Sequence, residues 1–430
     1  MASEPQARLL SIQDIQAAQR RIAEGIWLSP CTASIPLSEV AGCHIYCKLE
    51  YLQRTGSFKE RGARNALLQL DRMQRFRGVI AASAGNHALG LAYHGKLLGV
   101  PVTVVMPAYA PLIKVTTCRQ LGARVILHWE DFSEAMEHAR ALAEPQGLRY
   151  IHGYDDPAII AGQGTLGLEI MQQTPQVDAV LVPIGGGGLI AGVALAIKSL
   201  RPTVQVIGVT AAHAPAFSVA WQGGRPIPVT PRATLADGLA VGQVGELSFA
   251  LARPRVDRIV TVTEDELALA VLRLLELEKS VVEGAGAAPL AACLGGHLPE
   301  LTGQHVVLVL SGGNIDPAVL GRVIDRGMVA DGRLCRFTAA ISDRPGGLAR
   351  FAALIASTGA SIREVAHDRA FSGADVSAVN VICTVETSDR GHIQRLYAAL
   401  RKAAVRFTGF TAAGDDPSPA GERDGPISSA

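Results

Sequence analysis

Apolar residues recur along this chain at two periods. Ile12, Ile15, Ala18 and Ile22 stand at helical spacing behind Ser11 and the acidic Asp14, which predicts an amphipathic first helix over residues 11–24 whose role is packing. Residues 44–50 alternate as a strand, and Ala63, Ala66, Leu67 and Leu70 mark a helix fed by the loop around Lys59. From Gly78 the rhythm becomes strand, glycine-rich turn, helix: a strand at 79–82, a helix around 89–97, a strand at 102–106, a helix at 112–120 and a strand at 125–127. Short β-branched runs return at 179–184, 204–209, 259–262 and 306–310. Such alternation predicts βαβ units and a parallel sheet, so one α/β region runs to about residue 330.

Beyond Gly332 the pattern changes. A strand at 336–341, a turn at 342–346, a helix near 348–357, strands around 361–371 and 376–385, a helix near 391–402 and a strand near 405–410 spell βαββαβ, a small α+β module. The expected division is a catalytic domain over 1–332 and a module over 336–410. Residues 411–430 lack apolar periodicity and read as a disordered tail.

Composition narrows the partner. With 430 residues and 48% hydrophobic content the chain can bury a large core. A net charge of +1, from 40 basic and 39 acidic side chains, provides neither a stripe for nucleic acid nor a polybasic membrane anchor. A small molecule is therefore expected. The N-terminal stretch lacks the pattern of a signal peptide and no apolar run reaches membrane-spanning length, which makes the cytoplasm the expected location. Seven dispersed cysteines do not form a disulfide framework, and Cys43 and Cys47 have no second pair to complete a zinc site, so they read as small buried hydrophobes. No H-E-x-x-H or other metal cluster is present, and no metal is expected.

Four segments carry candidate chemistry. Lys59, in Gly56-Ser57-Phe58-Lys59-Glu60-Arg61, offers an amine of the kind that forms Schiff bases. Gly185, Gly186, Gly187, Gly188 and Leu189 lie between a strand and a helix, where backbone N–H groups and a helix N-terminus favour a phosphate. Ser83, Ala84, Gly85, Asn86 and His87 repeat that geometry, with N–H groups and the Ser83 hydroxyl for a substrate carboxylate and Asn86 for a ring hydroxyl. Ser311, in Ser311-Gly312-Gly313-Asn314, follows the last predicted strand and offers a hydroxyl to a pyridine nitrogen. Together they point to pyridoxal 5'-phosphate.

Each segment alone has a plainer explanation, a glycine turn capping a helix in any doubly wound sheet. Gly186-x-Gly188-x-x-Ala191 also fits a dinucleotide fingerprint, but the strand at 204–209 ends in Thr210 instead of the acid that a ribose requires. His87, at a helix start, is more often a structural hydrogen-bonder than a base. Glu283 is either an ordinary helix-start acid or a neighbour of the cofactor.

These stretches, with residues 50–61, 81–90, 152–169, 185–189, 283–288 and 311–314 together, closely resemble the fold-type II pyridoxal-phosphate enzymes, specifically threonine dehydratases (threonine ammonia-lyases) with a C-terminal ACT-like domain. The resemblance implies an α/β, tryptophan synthase β-like fold of two parallel-sheet subdomains, with a smaller one nested at about 79–154. It further implies Lys59 as the Schiff-base lysine beside Phe58, Asn86 on the ring hydroxyl, Gly185 to Leu189 on the phosphate and Ser311 on the ring nitrogen. The implied reaction is dehydration and deamination of L-threonine, and of L-serine, within amino-acid metabolism such as isoleucine biosynthesis. A serine or threonine racemase and a non-catalytic amino-acid-binding regulator are the alternatives. Serine racemases carry a second serine at the position of Ala84. Glu60 stands where many relatives carry an apolar residue. Residues 336–348 resemble the first strand and ligand loop of ACT domains, which implies either an amino-acid effector there, isoleucine or valine first, or a purely structural or dimerising role, and a homo-oligomer, dimer or tetramer.

Overall fold

The computed structural model describes residues 10–127, 132–368 and 378–410, so the tail at 411–430 lies outside the described residues. Two compact units divide the chain, Met1–Val323 and Ile324–Ala430. The first is built on two sheets. Strands β1 (Cys31–Ala33), β2 (His44–Leu49), β3 (Val79–Ala82), β4 (Val102–Met106), β5 (Arg124–Leu127), β6 (Arg149–Tyr150), β7 (Ala179–Pro183), β8 (Gln205–Ala211), β9 (Arg258–Val262) and β10 (His305–Leu310) follow in chain order. The larger sheet has the order β1-β2-β10-β7-β8-β9, parallel except for β1 against β2, and the smaller one is all parallel in the order β5-β4-β3-β6.

Both faces of the larger sheet are covered, which is why β7 and β10 read as unbroken apolar runs. Because successive side chains alternate across a strand, Leu181, Val306 and Leu308 enter one core with the helix Gly284–Leu294. Val180, Val182, Val307 and Val309 enter the opposite core with the helix Gly188–Leu200. The smaller sheet divides in the same way, with Val79, Ala81 and Val104 on one face and Ile80 and Val105 on the other.

The helix Lys59–Leu68 follows β2 and lies against the helix Pro157–Gln173 with no side chain between the backbones. A Cβ on Gly162 would stand 2.6 Å from the Gly62 Cα, so this approach needs glycine on both helices. Beneath it lies a buried charge cluster in which Arg61 Nε and Nη1 reach Glu50 and Glu169 at 2.7 and 2.6 Å, and Lys48 Nζ reaches Glu169 at 2.6 Å. Two cations thus face two carboxylates.

Several boundaries differ from those the pattern predicts. Glu50 leaves the strand for a 3-10 turn over Glu50–Leu52, and β8 runs on through Thr210 to Ala211. The short β1 and β6 are additional. Five cysteines are buried while Cys31 and Cys293 are half-buried, and among the described residues all seven are free thiols.

In the second unit β11 (Leu334–Ser342), β12 (Ser361–Asp368), β13 (Ala378–Glu386) and β14 (Arg406–Phe410) form an antiparallel sheet ordered β12-β13-β11-β14. Phe337, Ala339 and Ile341 alternate inward opposite Val379, Val381 and Cys383, and meet Phe351 and Leu396 of the helices Gly347–Ser357 and Arg390–Lys402. The βαββαβ order is the ferredoxin-like one. Residues 369–377, which include the predicted end of one strand and start of the next, lie outside the described residues.

Candidate active site

The C-terminal ends of β3, β6, β7 and β10 open onto one cavity of about 370 Å3, where a crevice is expected in an open parallel sheet. Its wall contains Phe58, Lys59, Ser83, Ala84, Gly85, Asn86, His87, Gly185, Gly186, Gly187, Gly188, Leu189 and Ser311, so the residues singled out from sequence converge.

The loop ahead of Lys59 is stitched to the loop after β10. Phe58 N donates to the Ser311 carbonyl at 3.0 Å and Gly313 N to the Gly56 carbonyl at 3.0 Å, while Ser57 and Gly312 form an isolated bridge. Lys59 Nζ donates to the Gly153 carbonyl at 2.7 Å and lies 5.2 Å from the Phe58 ring centre. The side chain is half-buried and borders the cavity. Burial lowers its pKa to about 8, against the opposing pull of the Glu283 carboxylate.

The glycine run is a tight cradle. Gly187 takes φ +97° at the start of the helix Gly188–Leu200, and a Cβ on Gly186 or Gly188 would come within 2.4 Å of Tyr154 atoms. Backbone N–H groups at a helix start, on residues with no side chain of their own, admit a phosphate.

In the turn after β3, the Ser83 hydroxyl accepts from Gly85 N at 3.2 Å and Ala88 N at 3.3 Å, so it shapes the turn as well as facing the cavity. Asn86 Nδ2 donates to Glu283 Oε1 at 2.9 Å, and Asn86 Oδ1 accepts from Asn314 Nδ2 at 2.8 Å. His87 is buried with Nε2 3.3 Å from the Ile151 carbonyl; burial and then Lys59 lower its pKa to about 3, leaving a neutral imidazole. Glu283 lies in the cavity wall, where burial and then Asp237 raise its pKa to about 7.

Other wall residues had no role assigned from sequence. His152 Nδ1 accepts from Asp155 N at 2.9 Å, and burial lowers its pKa to about 4. Tyr154 donates its hydroxyl to the Gln243 carbonyl at 2.8 Å and backs the glycine run. Residues 237–241 and Lys114 complete the mouth, with Lys114 Nζ 3.5 Å from Asp237. The segment carrying His152 and Tyr154 stood out only by resemblance, because the strand before it, β6, spans two residues. Among the described residues no cluster of three or more His, Cys, Asp or Glu could hold a metal ion, and no helix is long and apolar enough to cross a membrane.

An amine with a lowered pKa, a glycine cradle at a helix start and a buried serine at a strand end together fit pyridoxal phosphate. Comparison with known proteins agrees. Residues 22–312 match the family model described as pyridoxal-phosphate dependent enzyme. An L-threonine ammonia-lyase of Thermotoga maritima is 44% identical over 392 residues, 91% of this chain and 97% of that protein. Among solved structures, the processed form of threonine deaminase isoform 2 from Solanum lycopersicum has a TM-score of 0.70 at 34% identity, covering 76% of this chain and 99% of that one. Serine racemase from Dictyostelium discoideum has a TM-score of 0.67 at 36% identity, covering 71% and 99%. The amine, the cradle and the matched span lead to one conclusion: the chain belongs to the family of pyridoxal-phosphate dependent enzymes, in its fold-type II form.

Proposed function

We propose that the protein is a threonine ammonia-lyase, converting L-threonine to 2-oxobutanoate and ammonia and L-serine to pyruvate and ammonia. The observation that carries this reading is the meeting of Lys59 Nζ, the glycine cradle, the residue 83–87 turn and Ser311 around one cavity. Gly185 to Leu189 would hold the phosphate, Asn86 the ring hydroxyl, and Phe58 and Ser311 the ring itself, Ser311 through its nitrogen. Bound pyridoxal phosphate supplies an electron sink that makes the amino acid's Cα proton acidic. Lys59 would anchor the cofactor and, as a free amine, would take the Cα proton at Nζ. The turn at 83–87 grips the substrate carboxylate. Ser311, a neutral hydroxyl, limits how much charge the ring nitrogen stabilises, which favours prompt loss of the β-hydroxyl over transamination. The enamine that leaves hydrolyses to the 2-oxo acid.

Elimination prevails over racemisation because of Ala84. Racemisation needs a second proton donor opposite Lys59, and Ala84 presents a methyl group to the cavity. A positioned proton transfer is worth about 10² to 10⁴ in rate, so pyruvate should outpace D-serine by a large factor. Chiral chromatography of an L-serine reaction beside a pyruvate assay tests this. Ala84→Ser should raise the racemised share, and D-serine forming as fast as pyruvate in the unaltered protein would refute the assignment.

The second unit is assigned an amino-acid effector site and no part in the chemistry. Its ferredoxin-like order and the loop between β11 and the helix Gly347–Ser357, with Gly346 at φ +85°, support an ACT-like reading. The 392-residue similarity to the Thermotoga protein also runs beyond the 323 residues of the first unit. Cut after about residue 332, the protein should keep cofactor and threonine turnover but lose any response to isoleucine or valine. A truncated chain that binds cofactor yet cannot turn over threonine would contradict this.

A further inference from the structure

Glu60, next to Lys59 in the chain, is buried at 0% exposure, and so is His94. An isolated carboxylate in such a place costs several kcal/mol, so it calls for partners that use it. Glu60 Oε2 lies 3.2 Å from His94 Nε2, and Glu60 Oε1 accepts from Thr55 N. The His94 Nδ1 has no partner, so only the tautomer with hydrogen on Nε2, donating to Glu60, is satisfied. The other side of the same Thr55 residue is also held: its carbonyl accepts from Asn314 Nδ2 at 2.6 Å, and Asn314 Nδ2 also donates to Asn86 Oδ1 at 2.8 Å. Asn86 then donates to Glu283 at 2.9 Å. His94 and Asn86 lie on one helix, Asn86–Leu98, so that helix is tied twice to the loop that delivers Lys59.

We propose that Glu60 and His94 are positioning residues for the reaction: by fixing Thr55 they set Asn314 and, through it, the orientation of the Asn86 amide against the cofactor ring. The Asn86 amide has one sense in this network, oxygen toward Asn314 and nitrogen toward Glu283. Without Glu60 the half-buried Thr55 N–H loses its acceptor and the Asn314 tie loosens. The inference rests on the reading that Asn86 meets the ring hydroxyl.

The test uses the full-length holoenzyme carrying Glu60→Leu together with His94→Leu, since replacing both partners of a buried hydrogen bond by apolar groups can be nearly neutral for stability. Cofactor content should be unchanged and KM for L-threonine should hold within about threefold, while kcat falls about ten- to a hundredfold, as misplacement does. The visible circular dichroism of the bound cofactor should weaken. Asn86→Ala should give the same signature, and combining it with the leucine pair should add little, because groups acting through one another are not additive. Unchanged kcat and dichroism in the leucine pair, or losses that multiply with those of Asn86→Ala, would overturn the proposal. Asn86→Ala alone leaving kcat and dichroism intact would overturn both the proposal and the reading of Asn86 on which it rests. Where the leucine pair does not fold, Glu60→Met alone removes the acceptor for Thr55 with a flexible side chain of similar length. It should lower kcat several-fold with the same non-additivity, and an unaltered kcat and dichroism there would overturn the coupling.

Discussion

Lys59→Ala should abolish threonine turnover and remove the visible absorption of lysine-linked cofactor. Nζ serves twice in the account, as the covalent anchor and as the base at Cα. Proton transfer alone is worth about 10² to 10⁴ in rate, and losing the nucleophile adds to that. Among the described residues no other lysine faces the cavity except Lys114, which reaches Asp237 at the mouth. The environment also sets a pH dependence with a definite sign. Burial lowers the Lys59 pKa to about 8, so the neutral, nucleophilic amine grows as pH rises through that value. Chain stripped of cofactor and reloaded should therefore regain its visible band faster at pH 9 than at pH 7. A Lys59→Ala chain with near wild-type release of 2-oxobutanoate would remove Lys59 from the mechanism.

Arg61→Met should be the most damaging change outside the cavity. Arg61 is fully buried and holds Glu50 and Glu169, which Lys48 only partly serves. Removing one partner from a buried charge cluster costs about 3–5 kcal/mol, because the other charges stay buried without compensation. Burial by itself would raise the Glu50 carboxyl, but Arg61, Lys48 and Ser29 hold it below its ordinary value. A depressed carboxyl stabilises the fold above its unfolded pKa, and that contribution is lost as pH falls through the folded value. In Arg61→Met the same carboxylates are stranded, so the deficit should be widest near neutral pH and narrow on acidification. Denaturant unfolding of both chains at pH 7 and pH 5 checks this, and an equal deficit at the two pH values would contradict it. Since Arg61 is in the helix that begins at Lys59, lost order here should also reach the amine.

The parts of the fold that were legible in the sequence are those whose signal is local. Strands β3, β4, β7 and β10 are β-branched runs buried on both faces, and the first helix has a capping box of Ser11 and Asp14. Strands β1 and β6, three and two residues long, are too short to show a period. Glu50 reads as the end of a strand because its real determinant, Arg61, lies a helix away. The same holds in the site. Lys59, the glycine run and the two serine turns announce themselves by composition, whereas Tyr154 and residues 237–241 come from loops with no pattern. Glu283 stood open between two readings until Asn86, 197 residues away, proved to be its partner. Glu60 stands out in the sequence only as a departure from its relatives, because nothing near it in the chain marks His94 as the group it meets.

The most direct measurement of the central claim follows the purified holoenzyme with L-threonine. Its visible spectrum should carry the band of lysine-linked pyridoxal phosphate and shift on adding L-threonine, while 2-oxobutanoate and ammonia appear in equal amounts. Protein that binds no pyridoxal phosphate, or whose spectrum shifts with L-threonine while no 2-oxobutanoate forms, would contradict it.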